Sequence, residues 1–245
     1  MDQTGDRKRL YRHRLPVRLW HWLNALAALV LLMSGLMIFN AHPRLYWGEY
    51  GARDDPAWLQ LASLDAIAFP GWATIPSTYS LADARLWHLA FAWVFALGLL
   101  AYLLWALLAG HIGRALHIGR AEWRPAHLWQ EMRDHAALRF PAGEAARRYN
   151  TLQKLAYALL LFAVLPVLIV TGLAMSPGMD AAWPWLTEIW GGRQSARSVH
   201  FIAAFALVGF VVIHLAMVLA SGPLNGLRAM ITGWYRLPPQ QQERA

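Results

Sequence analysis

Four of the ten histidines, His21, His88, His200 and His214, lie within or at the mouth of long apolar runs, and no charged residue interrupts those runs. An ionisable side chain in such surroundings is costly and marks a functional site by default. A neutral imidazole there can carry a proton or bind a metal. A proton relay would bring Asp or Glu into the same runs, and none is present. Zinc asks for four ligands, usually including a thiolate or an acid, and the chain has no cysteine. That lack also excludes disulfides, thiolate-bound iron–sulfur clusters and covalent attachment through Cys-x-x-Cys-His. What remains is a pair of imidazoles gripping one metal centre from opposite sides. His200 and His214 stand fourteen residues apart, so on a helix they share a face to within roughly 40° while about 21 Å of rise separates them. They therefore serve different centres.

The elements that must position these groups are legible in the composition. Of 245 residues, 58% are hydrophobic and 15% charged, with 14 tryptophans, which is a membrane protein's balance and not a soluble domain's. The net charge of +8 does not indicate nucleic acid, because the Lys and Arg cluster at the ends of apolar runs and form no patch beside stacking aromatics. Four runs, Leu19–Phe39, Leu89–Gly110, Leu155–Met175 and Phe201–Ala220, reach the roughly twenty residues a bilayer requires. Pro166 is tolerated in such a span and is expected to kink it. The first run is too long for a signal peptide, and no small-x-small cleavage site follows it. No repeat with a period of about 20–50 residues, low-complexity tract or nucleotide-binding glycine motif is visible, and the Pro-Pro-Gln-Gln-Gln-Glu tail reads as disordered.

Flanking charge sets the orientation. Arg7, Lys8, Arg9, Arg12, Arg14 and Arg18 precede the first span, and Arg114, Arg120, Arg124, Arg133, Arg139, Arg147 and Arg148 fill the middle connection. The first loop instead carries Glu49, Asp54, Asp55 and Asp65 against Arg44 and Arg53. The positive-inside rule then places both termini in the cytoplasm. The expected order is a cytoplasmic tail (1–15), a span (16–40), a periplasmic loop (41–82), a span (83–110), a cytoplasmic loop (111–149), a span (150–176), a periplasmic loop (177–195), a span (196–221) and a cytoplasmic tail (222–245). Trp47, Trp58, Trp72, Trp183, Trp185 and Trp190 suit the outer interface.

Orientation converts the histidines into pairs. His88 and His200 come near the outer face, and His21 and His214 toward the cytoplasm. Two facing imidazoles with no acid or thiolate nearby suit low-spin haem b. Gly35, fourteen residues after His21, shares its face at the depth of the outer pair, where a missing side chain leaves room for a porphyrin edge. Arg14 and Arg18 on the inner side, and Arg85, Arg193 and Arg197 on the outer, stand where propionates would emerge. Singly, each of these residues has an ordinary use: helix packing for Gly35, interfacial charge for the arginines, interfacial hydrogen bonding for one histidine. The four histidines at matched depths carry the argument. His13, His42, His111, His117, His127 and His135 read as loop or interface residues.

The segments "VRLWHWLNA", "RLWHLAFAW", "YNTLQKLAYALLLF" and "GGRQSARSVHFIAAFALVGFVVIHLAM", which open the four spans, resemble the bacterial cytochrome b561 and nickel-hydrogenase b-type cytochromes, close to the thiosulfate reductase cytochrome b subunit. The distribution of one, one and two histidines on three helices differs from that of the quinol-oxidising respiratory cytochromes b, where two helices carry two each. The resemblance implies an all-α integral membrane four-helix bundle, N-in and C-in, in the bacterial inner membrane. It implies two non-covalent haem b groups, on His21 with His214 and on His88 with His200. It further implies electron transfer between quinone and an extracytoplasmic partner, a molybdenum oxidoreductase or, second, a hydrogenase. A competing enzyme function is a stand-alone superoxide:quinone oxidoreductase, drawing its anion through a basic funnel of Arg85, Arg193 and Arg197. The acidic first loop opposes that attraction. At the mouth of the third span Asn150, Gln153 and Lys154 could donate to a quinone, but an N-cap and a snorkelling lysine explain them as well.

Overall fold

The computed structural model describes residues 9–52, 54–63, 66–139 and 149–236; Arg7, Lys8, Arg53, Asp65, Arg147, Arg148 and the Pro–Gln tail fall outside them. In chain order the elements are β1 (Arg9–Tyr11), α1 (Leu15–Asn40), β2 (Arg44–Leu45), β3 (Leu59–Gln60), α2 (Leu81–Leu108), α3 (His111–Ala115), α4 (Pro125–Ala136), α5 (Thr151–Leu159), a π-helical turn (Leu160–Val164), α6 (Leu165–Ala174), α7 (Pro177–Ala182), α8 (Trp185–Glu188), α9 (Arg193–Ala220), α10 (Pro223–Thr232) and β4 (Trp234–Arg236). Four helical stretches are long and apolar enough to cross a membrane: α1, α2, the composite Thr151–Ala174, and α9. Leu26, Leu97, Phe162 and Val212 stay exposed on them, as lipid-facing side chains do.

Two of these helices depart from simple spans. Pro166 has no N–H to donate four residues back, and the strain is taken up by the π-helical turn that precedes it, after which the helix restarts with proline in its first turn. Helix α9 begins at Arg193, before its apolar run, because Gly191 and Gly192 break the chain with left-handed backbones. Gly192 also lies so close to Glu49 that a Cβ there would sit 2.6 Å from the Glu49 backbone. No other residue type fits that approach.

The chain forms two compact units, each containing segments of all four spans. The first is made from the described parts of Met1–His21, Tyr102–Leu159 and Phe210–Ala245. Here β1 pairs with β4 in antiparallel register, Leu10 opposite Tyr235. Helix α4 caps the start of α5. The Glu131 carboxylate accepts from the Thr151 N–H at 3.1 Å, the Thr151 hydroxyl at 3.0 Å and the Leu152 N–H at 3.0 Å. Asn150 and Gln153 complete a reciprocal capping box. An acid at the positive end of a helix also meets the helix dipole favourably.

The second unit is made from Trp22–Ala101 and Leu160–Gly209. In the loop after α1, Pro43, Leu45 and Thr74 are almost fully buried. Asn40 holds the loop at Phe69 through a two-way amide pair, 2.9 and 2.8 Å. Helix α9 holds it through Ser198, which donates to the Tyr46 carbonyl at 2.6 Å and accepts from the Trp58 indole at 2.9 Å. The loop is thus a folded structure held largely by side-chain to backbone bonds, and among its described residues the strand pairing is the two-residue match of β2 with β3.

Candidate haem-binding sites

In the first unit the rings of His21 on α1 and His214 on α9 lie with centroids 6.4 Å apart at 59°. In the second, His88 on α2 and His200 on α9 lie 6.3 Å apart at 63°. A metal–imidazole bond runs ~2.0–2.1 Å and the ring centre lies about 1.1 Å behind the bonded nitrogen, so two rings gripping one ion in line have centroids about 6.3 Å apart. Both pairs meet that spacing. Among the described residues no group of three or more His, Cys, Asp and Glu gathers to suit another metal geometry. A pair of imidazoles alone suits a b-type haem, whose iron His21 with His214, or His88 with His200, would hold.

At the second pair a glycine backs each imidazole. Gly35 on α1 faces the His88 ring, where an added Cβ would meet only that ring, 3.4 Å from Cε1. Gly172 on α6 faces His200 in the same manner at 3.5 Å. Next to each glycine stands a buried hydroxyl: Ser34 Oγ is 3.0 Å from His88 Nδ1, and Thr171 Oγ1 is 2.9 Å from His200 Nδ1. Gly35 was legible in the sequence. Ser34, Thr171 and Gly172 were not, although Ser-Gly-Leu at 34–36 and Thr-Gly-Leu at 171–173 form a repeated signal.

The first pair is set differently. His214 stacks on Phe210 at 5.9 Å and 6°, and Phe210 in turn meets the edge of Tyr157 at 6.2 Å. Arg18, one turn before His21, reaches the Ile231 carbonyl with one terminal nitrogen, while its Nε is buried with no acceptor. Burial first, then the charge of Arg12, with His21, Arg18 and His111 adding, holds the His13 imidazole down to about 4. His13 is therefore neutral at pH 7, and the positive charge at this mouth comes from arginine. A carboxylate such as a haem propionate suits that field and the unspent Arg18 donor.

The remaining arginines divide. Arg85 and Arg14 are exposed. Arg197 has both terminal nitrogens on loop carbonyls, 2.6 Å to His42 and 2.9 Å to Arg44, and lies over the Phe39 ring at 5.6 Å. Arg193 donates to the Met175 carbonyl at 2.6 Å. Burial, then Arg197 and Arg44, lowers the pKa of His42. At the mouth of the third span, Asn150 and Gln153 are spent on capping and Lys154 pairs with Glu122 at 2.7 Å, so the capping and snorkelling roles account for all three. His127 and His135 belong to the same cluster, contacting Thr151 and Asn150.

The family described as prokaryotic cytochrome b561 matches residues 12–233. A protein named YedZ1 from Azospira oryzae, described as a protein-methionine-sulfoxide reductase subunit, is 30% identical over 86% of this chain and 92% of its own. Nickel–iron hydrogenase b-type cytochrome subunits are also similar. The one from Cupriavidus necator is 28% identical over 84% of this chain and 78% of its own, and the one from Azotobacter vinelandii 25% over 95% and 93%. No solved structure matches significantly. With four spans and a family match over nearly its whole length, the chain belongs to the prokaryotic cytochrome b561 family, the b-type haem proteins that carry electrons as multi-pass proteins of the bacterial inner membrane.

Proposed function

We propose that this chain is a di-haem cytochrome that moves electrons across the membrane between the quinone pool and an extracytoplasmic redox enzyme. The observation that carries the reading is that two histidine pairs, each at the spacing of one bis-imidazole iron, share the continuous helix α9. His21 with His214 would hold one haem and His88 with His200 the other. Bound haem supplies the one-electron iron couple. The chain supplies axial nitrogens, the cradle at Gly35 and Gly172, the Arg18 donor and an apolar shell that excludes water. The arginine-rich flanks put the termini and the His21–His214 pair on the cytoplasmic side. The partner enzyme is of the molybdenum class, as the family resemblance implies. The names of the hydrogenase subunits keep a hydrogenase as the second reading. A superoxide-oxidising role is disfavoured because both terminal nitrogens of Arg197 and one of Arg193 are spent on carbonyls, and the Glu49 carboxylate, which accepts from the Arg193 backbone N–H at 3.2 Å, places negative charge beside them.

Purified protein should carry two haems per chain by pyridine haemochrome assay. His88→Ala and His200→Ala should remove one electron paramagnetic resonance signal, and His21→Ala and His214→Ala the other. One haem per chain, or loss of the same signal on replacing His200 and His214, would overturn the assignment.

A further inference from the structure

Ser34 and Thr171 are fully buried in apolar helices, and each hydroxyl has backbone carbonyls within reach. Ser34 Oγ is 2.7 Å from the Val30 oxygen and 3.2 Å from that of Leu31. Thr171 Oγ1 is 2.6 Å from the Val167 oxygen and 3.2 Å from that of Leu168. Carbonyls only accept, so the single hydroxyl proton goes to them. Toward the imidazole each hydroxyl is then an acceptor, and the short contacts to His88 and His200 require the proton on Nδ1. Were Nδ1 unprotonated, the hydroxyl would turn its proton there and leave an oxygen–oxygen contact of 2.7 or 2.6 Å without a hydrogen. With Nδ1 protonated, the free lone pair of each ring is on Nε2, the nitrogen a ligand must present.

We propose that Ser34 and Thr171 are positioning residues for the His88–His200 centre, fixing both imidazoles in the Nδ1–H tautomer and increasing their donor strength toward a bound haem iron. The inference rests on the axial pairing proposed above. An accepted Nδ1–H bond makes a ligating imidazole more basic, and a more basic ligand favours the oxidised iron. The two hydroxyls act from different helices on opposite ligands, so their effects add. Gly35 and Gly172 belong to the same device, since the adjacent missing side chain lets each ring lie against the helix that carries its acceptor.

The test uses the full-length protein with Ser34→Ala, Thr171→Val and the conservative Ser34→Thr and Thr171→Ser. The readouts are haem content and a potentiometric titration followed by electron paramagnetic resonance, with the second centre identified as the signal that His200→Ala removes. At fixed potential, Ser34→Ala and Thr171→Val should each raise the reduced-to-oxidised ratio of that centre about 5-fold, the worth of one hydrogen bond. The other centre should stay unchanged, and the conservative variants should behave as wild type. Loss of that haem in Ser34→Ala with retention in Ser34→Thr also supports the proposal, because the hydroxyl is what Thr preserves. Two bound haems with an unmoved potential in both deletion variants would overturn it while leaving the axial pairing intact. Retention of both haems in His88→Ala and in His200→Ala would instead overturn the pairing itself.

Discussion

Gly35 and Gly172 are separated from an imidazole edge by little more than the width of one methyl group. Alanine fits at either position, because its Cβ would touch Cε1 at 3.4 or 3.5 Å, an ordinary contact. Leucine would fill the space a porphyrin edge needs. Gly35→Leu and Gly172→Leu should therefore reduce haem content from two per chain to one, with the His21–His214 signal intact, whereas the alanine variants keep both; haemochrome assay with low-temperature spectra checks this. The histidines were readable in the sequence because a titratable group in an apolar run has few other uses. The hydroxyls beside them were not, since Ser and Thr bonded to a carbonyl one turn back are common in membrane helices and mark nothing by themselves. Arg197 shows the opposite difficulty. Its position before His200 suits a propionate, but its partners are the His42 and Arg44 carbonyls of a loop some 150 positions away, a relation no local pattern encodes.

The beginning of the third span shows how an element is secured at a charged surface. Its capping box, Asn150 with Gln153, is written in adjacent residues; its main acceptor, Glu131, comes from α4 twenty positions earlier and is visible only in the fold. Burial pulls the Glu131 carboxyl upward, but the Thr151 and Leu152 N–H groups, the Thr151 hydroxyl and His127 outweigh it and hold the pKa below the usual value. The Lys154 hydrogen bond, with that of Gly119, lowers Glu122 likewise. A carboxyl with a lowered folded pKa contributes stability above its unfolded pKa and loses it as pH falls through the folded one. Glu131→Gln should cost about 1–2 kcal/mol at pH 7, the scale of a lost cap with its dipole interaction. Thermal melts in detergent should show that gap closing as pH falls through the lowered pKa of Glu131, where the wild-type acid is itself protonated; a gap that does not change with acidification would mean that charge is not what Glu131 contributes. The four long helices were readable from length and apolarity. The first loop was not, because its order comes from pairs distant in sequence, Asn40 with Phe69 and Ser198 with Tyr46 and Trp58.

For the whole molecule, the proposed orientation rests on the arginine distribution and the positive-inside rule, independently of any cofactor. Alkaline phosphatase fusions after Ala52 should be active and those after Arg120 inactive, with green fluorescent protein fusions giving the reverse; the opposite pattern would place the His88–His200 pair on the cytoplasmic side. Membership of the cytochrome b561 family followed from segments that open all four spans, but the identity of the enzyme served is not written in them, since such a partner meets exposed surface and leaves no periodic trace. The pairing of Ser34-Gly35 with His88, and of Thr171-Gly172 with His200, has one more consequence. Helix α1 with α2 makes one half of a socket, and the third span with α9 makes the other, each half holding its own ligand, its own acceptor and its own gap. The second site is in effect a dimer folded into a single polypeptide. A cut in the connection between α4 and α5 would therefore leave His88 with Ser34 and Gly35 on one fragment and His200 with Thr171 and Gly172 on the other.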